Sequence, residues 1–216
     1  MFEEDVYFCP YCGVKTNNNI CCEKCSNDLK KFVNKNIGTT EFCDAFTAPF
    51  VYDDMVRDAM LNFKFGQRKN YCESFGYFMA NCDLFYSDII ISVPSLYKSR
   101  KYNTSDLLAQ YMSKFLNIRY ERRAVRKIRY TKFQHECDFS KRLSNLNGSF
   151  SASGKNLNNM NILICDDIIT SGSTIDEVAK VCKNAGAGNV YAVAFAVSNG
   201  AFADCYTLGV NWDVEF

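Results

Sequence analysis

The chain has 216 residues, is 48% hydrophobic and 23% charged, and carries 18 Phe, 13 Tyr and only 3 Pro at a formal net charge of +1. That is enough apolar material for one substantial core plus a small appendage, and too much for a disordered protein. The longest apolar stretch, Val190 to Val197, falls far short of the roughly 20 residues a membrane-spanning helix needs, and Met1-Phe2-Glu3-Glu4-Asp5 lacks the basic start of an export signal, so a soluble cytoplasmic protein is expected.

Five of the twelve cysteines lie in the first 25 residues. The other seven are single residues among apolar neighbours, as small buried hydrophobes would be. The segment 1–36 is rich in Cys, Asn and Lys and poor in aliphatics, so it cannot build a core alone and needs a staple. Cys9-Pro10-Tyr11-Cys12 and Cys22-Glu23-Lys24-Cys25 are two C-x2-C pairs nine residues apart. Four such thiolates complete a closed tetrahedral site, so a structural zinc on Cys9, Cys12, Cys22 and Cys25 is expected. An iron–sulfur cluster and plain cysteine packing are the alternatives, and Cys21 could substitute for Cys22. The only histidine, His135, is 110 residues beyond Cys25, too remote for a mixed finger.

Beyond a boundary near residues 30 to 45, Asp53 to Phe63 has helical spacing (Met55, Val56, Ala59, Met60, Phe63), and Tyr71 to Leu84 is a second helical candidate. Ile89 to Val93, closed by Pro94, reads as a buried strand. Asn103-Thr104-Ser105 can cap a helix with the face Leu107, Leu108, Tyr111, Met112 and Phe115. From Lys98 to Lys132, eleven basic residues stand against Asp106 and Glu121, a local balance of +9. This favours a polyanionic partner, with a solvated basic face as the plain alternative. Arg126 to Gly148 lacks periodicity and reads as a long loop. Ile162 to Cys165 (strand), Ile175 to Ala185 (helix, ended by Gly186-Ala187-Gly188) and Val190 to Val197 (strand) form a βαβ unit, so the main domain is α/β with a largely parallel sheet. Residues 45–200 are assigned to it, and 201–216 form an extension without a role.

The segment Ile162-Leu163-Ile164-Cys165-Asp166-Asp167-Ile168-Ile169-Thr170-Ser171-Gly172-Ser173-Thr174 carries the chemistry. A buried strand delivers two carboxylates at its C-terminal end, expected to face solvent, where ligands of open α/β sheets bind. The small, hydroxyl-rich turn and the helix N-terminus after it can cradle a phosphate. Asp166 and Asp167 can accept hydrogen bonds from adjacent ribose hydroxyls or face a magnesium ion. No G-x-x-x-x-G-K-[ST] loop or G-x-G-x-x-G fingerprint competes. The plain alternative is an ordinary strand-to-helix turn capped by Asp167 or Thr170.

The whole run resembles the phosphoribosyl-pyrophosphate (PRPP) motif of type I phosphoribosyltransferases. Joined to a four-cysteine ribbon, it resembles the ComF family of competence-associated, phosphoribosyltransferase-like proteins. Tyr52, Arg57 and Phe63-Lys64-Phe65-Gly66 resemble that family's segment before the first sheet strand. Thr131, Gln134, Arg142, Asn145, Gly148 and Phe150 reproduce its T-x-x-Q, R-x-x-N and G-x-F spacing. The departure is at Ser92-Val93-Pro94-Ser95-Leu96 and Arg100-Lys101-Tyr102-Asn103-Thr104, where the family usually has V-P-V-P and then R-G-F-N-Q.

The resemblance implies a type I phosphoribosyltransferase-like, mainly parallel sheet flanked by helices, with a small N-terminal zinc-ribbon module. It implies that Asp166 and Asp167 are the catalytic, ribose-orienting pair. Thr170, Ser171, Gly172, Ser173 and Thr174 would bind the 5′-phosphate, Lys98 and Arg100 would face pyrophosphate, and a flexible loop with Thr131, Gln134 and Arg142 would close over the site. Magnesium would accompany PRPP. The implied role is single-stranded DNA handling in natural transformation, beside a helicase-like partner at the inner face of the membrane. Arg119, Arg122, Arg123, Arg126 and Lys127 are the candidate DNA contacts. The alternative is an active transferase that acts on a nucleobase-like acceptor.

Overall fold

The computed structural model of the chain describes residues 7–18, 20–82, 85–95, 102–129 and 148–202. Strands β1 (Tyr7–Phe8) and β2 (Lys15–Thr16) pair antiparallel around the first cysteine pair, and α1 (Glu23–Leu29) starts directly after Cys22. Two short strands follow, β3 (Ala45–Thr47) and β4 (Phe50–Val51). Next come α2 (Asp54–Phe65) and α3 (Tyr71–Ala80). Asp53 caps α2, its carboxylate accepting the Asp54 N–H at 2.8 Å. The second helix stops four residues before the expected Leu84, where the Asn81 amide donates to the Tyr77 carbonyl at 2.8 Å.

The sheet proper contains β5 (Ile89–Ser92), β6 (Arg119–Tyr120), β9 (Ile162–Ile169) and β10 (Val190–Val197). Helix α4 (Thr104–Leu116) links β5 to β6, and α5 (Ser173–Asn184) links β9 to β10. Strand order is β3-β10-β9-β5-β6, with β4 also on β10, and every pairing is parallel. Strands β7 (Val125–Lys127) and β8 (Phe150–Ala152) form a separate antiparallel pair. The expected long loop therefore begins as a strand, and residues 130–147 lie outside the described residues.

Both faces of the sheet are covered, which is why its strands read as unbroken apolar runs. Alternate residues feed two cores. Ile89, Ile91, Ile162, Ile164, Ala192 and Ala194 pack toward α5 and the β7–β8 pair. Ile90, Leu163, Val193 and Phe195 pack toward α2, α3 and α4. That second core is largely aromatic: Phe195 stacks on Phe75 at 3.9 Å and meets Phe50 edge-on at 5.4 Å. The N-terminal segment shares it, since Leu29 is fully buried there and Tyr11 lies 6.1 Å from the Phe75 ring. Among the described residues no helix is long and apolar enough to cross a membrane.

One difference from the sequence reading positions the site. The strand expected over Ile162 to Cys165 runs on to Ile169, because Asp166, Ile168 and Ile169 keep pairing with Ala194, Ala196 and Val197 of β10. On its other side β9 loses its partner earlier, since pairing with β5 ends at Ser92↔Cys165. The two aspartates thus stand in a strand supported on one edge and open on the other.

Candidate functional site

The cysteine cluster is assembled from two turns. In the first, Cys9 accepts from the Gly13 N–H at 2.9 Å and donates its own N–H to Val14 at 2.8 Å, a tight reversal that Gly13 permits at φ +76°. In the second, Cys22 sits at the start of α1 and Cys25 one turn on. The sulfurs of Cys9, Cys12, Cys22 and Cys25 all lie within 4.8 Å of one another, with Cys12 and Cys22 at 3.6 Å. A tetrahedral ion with metal–sulfur bonds of about 2.3 Å requires sulfur separations of about 3.8 Å. The donor set therefore fits a metal such as zinc in a closed, structural site. Cys22, not Cys21, joins the four; the Cys21 thiol is pushed up to about 12, mainly by burial.

The carboxylate pair lies at the point where the sheet changes direction. From β5 the chain moves outward through α4 to β6, and from β9 it moves the opposite way through α5 to β10. A crevice opens between the C-terminal ends of such diverging strands. Two helix N-termini meet there. Asn103 ties α4 to the end of β5: its Oδ1 accepts the Ser105 N–H at 3.1 Å and its amide donates to the Val93 carbonyl at 3.1 Å. Thr104 donates its hydroxyl to Asp167 Oδ2, and Ser105 donates to Asp166 Oδ1 at 2.8 Å. Lys64, at the end of α2, sets its ammonium 2.7 Å from Asp167 Oδ1.

With α4 and Lys64 over them, Asp166 and Asp167 are only 9% and 8% exposed. They do not face open solvent as the sequence suggested. Burial first, and the charge of Asp167 second, push the Asp166 carboxyl up to about 7, while the Asp167 N–H, Lys64 and Ser105 pull it down.

Thr170, Ser171, Gly172, Ser173 and Thr174 form the turn from β9 into α5. Gly172 is left-handed at φ +73°, and a Cβ there would meet Thr40 Cγ2 at 3.1 Å. The first turn of α5 has no side-chain cap, so its N–H groups stay available for an anion. Ser171 and Ser173 hydroxyls lie 2.8 Å apart, and Ser198 donates to the Thr170 carbonyl at 2.7 Å. The segment before β3 braces the helix: Thr40 and the Phe42 N–H both bond Asp176 Oδ1, the latter at 2.8 Å.

No protein-family model matches the chain. Among curated proteins it is 36% identical over 106 residues to DNA utilization protein YhgH of Escherichia coli O6:H1, covering 48% of this chain and 46% of that protein. It is 35% identical over 105 residues to Competence protein F of Haemophilus influenzae, covering 46% and 45%. Over about half its length the chain is similar to curated proteins of DNA utilization and competence. The match spans about half the length of these curated relatives. Similar solved structures include the glutamine PRPP amidotransferase of B. subtilis (18% identity, TM-score 0.40, 56% of this chain and 25% of that one). Another is the adenine phosphoribosyltransferase of Thermoanaerobacter pseudethanolicus (14%, TM-score 0.40, 80% and 99%). The chain has the mainly parallel sheet, flanking helices and N-terminal cysteine cluster that the resemblance implies.

Its basic segment divides in two. Arg119 pairs with Glu121 at 3.5 Å, and Arg122 reaches Asp106 Oδ2 at 3.1 Å. Arg123 and Arg126 are exposed, with no ion pair among the described residues. Lys127 alternates inward on β7, its amine 5.4 Å from the centre of the Phe150 ring. Burial pulls that amine down while the charge of Asp166 opposes the shift. Lys98, Arg100, Thr131, Gln134 and Arg142 lie outside the described residues. Sequence reasoning gave no site role to Lys64, Thr104, Ser105 or Thr40. The cap signature at Asn103 was the only hint that Thr104 and Ser105 stand at a helix start.

Proposed function

We propose that the chain binds PRPP in the crevice between β5 and β9 and serves DNA utilisation, handling single strands along its basic segment. The observation that carries this reading is the buried carboxylate pair at the topological switch point, beside an uncapped, hydroxyl-rich helix N-terminus. Two adjacent acceptors suit a vicinal diol, and the N–H groups of Ser173 and Thr174 suit a phosphate one ribose away. Lys98 and Arg100 supply positive charge for the pyrophosphate end. Magnesium would arrive on the pyrophosphate of PRPP and neutralise its charge; Asp166 and Asp167 already hold Ser105, Thr104 and Lys64, an arrangement better suited to sugar hydroxyls than to a bare ion. The names of the relatives, DNA utilization and competence, support the biological half of the reading.

PRPP with magnesium at a hundredfold excess over its Kd should stabilise the folded chain by about 2.7 kcal/mol. For a chain of this size that is a rise in Tm on the order of 5–10 °C. Measured against its own baseline, either Asp166→Asn or Asp167→Asn should lose most of that rise. Equal rises in wild type and both variants would show that PRPP binds elsewhere.

The DNA half has its own test. Single-stranded DNA should bind with little sequence preference, its log affinity falling with log salt by about 0.7 per neutralised phosphate. Arg123→Gln with Arg126→Gln should flatten that slope by about 1.4 and leave the PRPP shift intact, since both side chains are exposed while the carboxylates are buried. No binding by wild type at moderate salt would sink the DNA reading.

Transfer of the ribosyl group to a nucleobase-like acceptor is the second reading. Lys127, a half-buried cation on β7 whose amine feels the charge of Asp166, favours it, because such a cation stabilises charge on a departing pyrophosphate. Pyrophosphate release from PRPP with a panel of bases distinguishes the two.

A further inference from the structure

The ion pair between Lys64 and Asp167 is costly to build. The two side chains are only 15% and 11% exposed, and desolvating two charges offsets much of their attraction, so a well-packed apolar pair would be about as stable. Its location supplies a different reason for it. Helix α2 ends at Phe65, and the end of that helix is joined to the start of α4: the Tyr102 hydroxyl donates to the Phe63 carbonyl, and the two rings lie 5.9 Å apart. Tyr102 immediately precedes the Asn103 cap of α4, whose first turn supplies Thr104 to Asp167 and Ser105 to Asp166. Lys64 and Thr104 therefore grip the two oxygens of one carboxylate from two linked helices. Lys64 is the cation in ion-pair contact with Asp167, at 2.7 Å.

We propose that Lys64 is a positioning residue for sugar recognition: its ammonium, opposite the Thr104 hydroxyl, fixes Asp167 so that the carboxylate pair presents acceptor oxygens to a vicinal diol and discriminates ribose from 2-deoxyribose. This rests on the PRPP reading of the same crevice. Lys64 touches the carboxylate and not the reacting atoms. With a neutral side chain at position 64, Asp167 keeps Thr104 but loses its second anchor, and a carboxylate held through one oxygen alone gives no preference for the extra hydroxyl. The phosphate turn of residues 170–174 begins beyond the end of β9 and is braced by Ser198 on the Thr170 carbonyl and by Thr40 on Asp176; Lys64 meets β9 at Asp167, before that turn, so phosphate binding is independent of it.

Calorimetric titration with ribose 5-phosphate, 2-deoxyribose 5-phosphate and inorganic phosphate separates these contributions. Wild type should prefer ribose 5-phosphate over its deoxy analogue about tenfold, the worth of one hydrogen bond to a charged acceptor. In Lys64→Met the preference should fall below about twofold while inorganic phosphate binds within about twofold of wild type. Lys64→Arg, which keeps the charge, should retain most of the preference. A merely structural role would weaken all three probes together and leave the ratio unchanged, and that result overturns the inference. So does a Lys64→Met variant that discriminates as well as wild type. Wild type that binds none of the three probes overturns the PRPP reading, and the inference with it.

Discussion

At pH 7.5, Asp166→Asn should melt above wild type and Asp167→Asn below it, although the two residues are neighbours on one strand. Asp166 is buried next to another carboxylate, and its carboxyl is pushed up to about 7, mainly by that burial. An acid whose folded value lies above its ordinary value near 4 holds its proton longer in the folded state. Folding therefore takes up a proton between about pH 4 and 7, and wild-type stability declines as the pH rises through that window. Asparagine removes the charge but keeps an oxygen to accept from Ser105 and from the Asp167 N–H, now bonded at 2.8 Å each. The gain at pH 7.5 should therefore be a clear rise in Tm. The same change at Asp167 strands the Lys64 ammonium in a nearly closed site, at a cost of about 3–5 kcal/mol. Thermal melts at pH 5 and pH 7.5 check both halves: the Asp166→Asn gain should shrink at pH 5, where wild type is already protonated. Shifts of the same sign for both variants would refute this account of the pair. Stabilisation with loss of PRPP binding at Asp166 would also mark that carboxylate as retained for binding against its structural cost.

The parts of the fold legible in the sequence were those whose signal is local. The apolar run Val190–Val197 is β10 with the same bounds, and the C-x2-C spacing gave four cysteines whose sulfurs converge. Strands β3, β4, β6, β7 and β8 span two or three residues each, too short for a period-2 pattern. The aspartates stood out because they interrupt an apolar strand, but their burial did not, since the groups covering them come from α2 and α4, far away in the chain. Lys64 reads as an ordinary basic residue in the last turn of an amphipathic helix. Thr104 and Ser105 read as part of a cap. Only the crossing of the chain at β5 and β9 turns those local features into a site, and that crossing is a property of topology which no window of sequence contains.

Purified protein should carry close to one zinc per chain, and Cys25→Ser should lose it together with the docking of α1 and Tyr11. The reason lies in how little else orders that segment. Helix α1 has seven residues, well below the length at which an isolated helix is stable, and β1 and β2 have two residues each. The metal clamp is what would hold Leu29 and Tyr11 against Phe50 and Phe75. Withdrawing Leu29 alone forfeits about 2–3 kcal/mol of burial, and exposing the apolar surface beneath it adds to the loss. A fall in Tm on the order of 5–10 °C is expected. The effect should stop short of the sheet: the core of Ile162, Ile164, Ala192 and Val178 lies on the face away from α2, α3 and α4 and has no contribution from the cysteine module. Hydrogen exchange on Cys25→Ser should therefore show faster exchange over residues 7–33 and retained protection in β9 and β10. Metal analysis finding no zinc in protein prepared without chelators, or a serine variant that melts with wild type, would remove the clamp from the account and leave Leu29 and Tyr11 docked by packing alone.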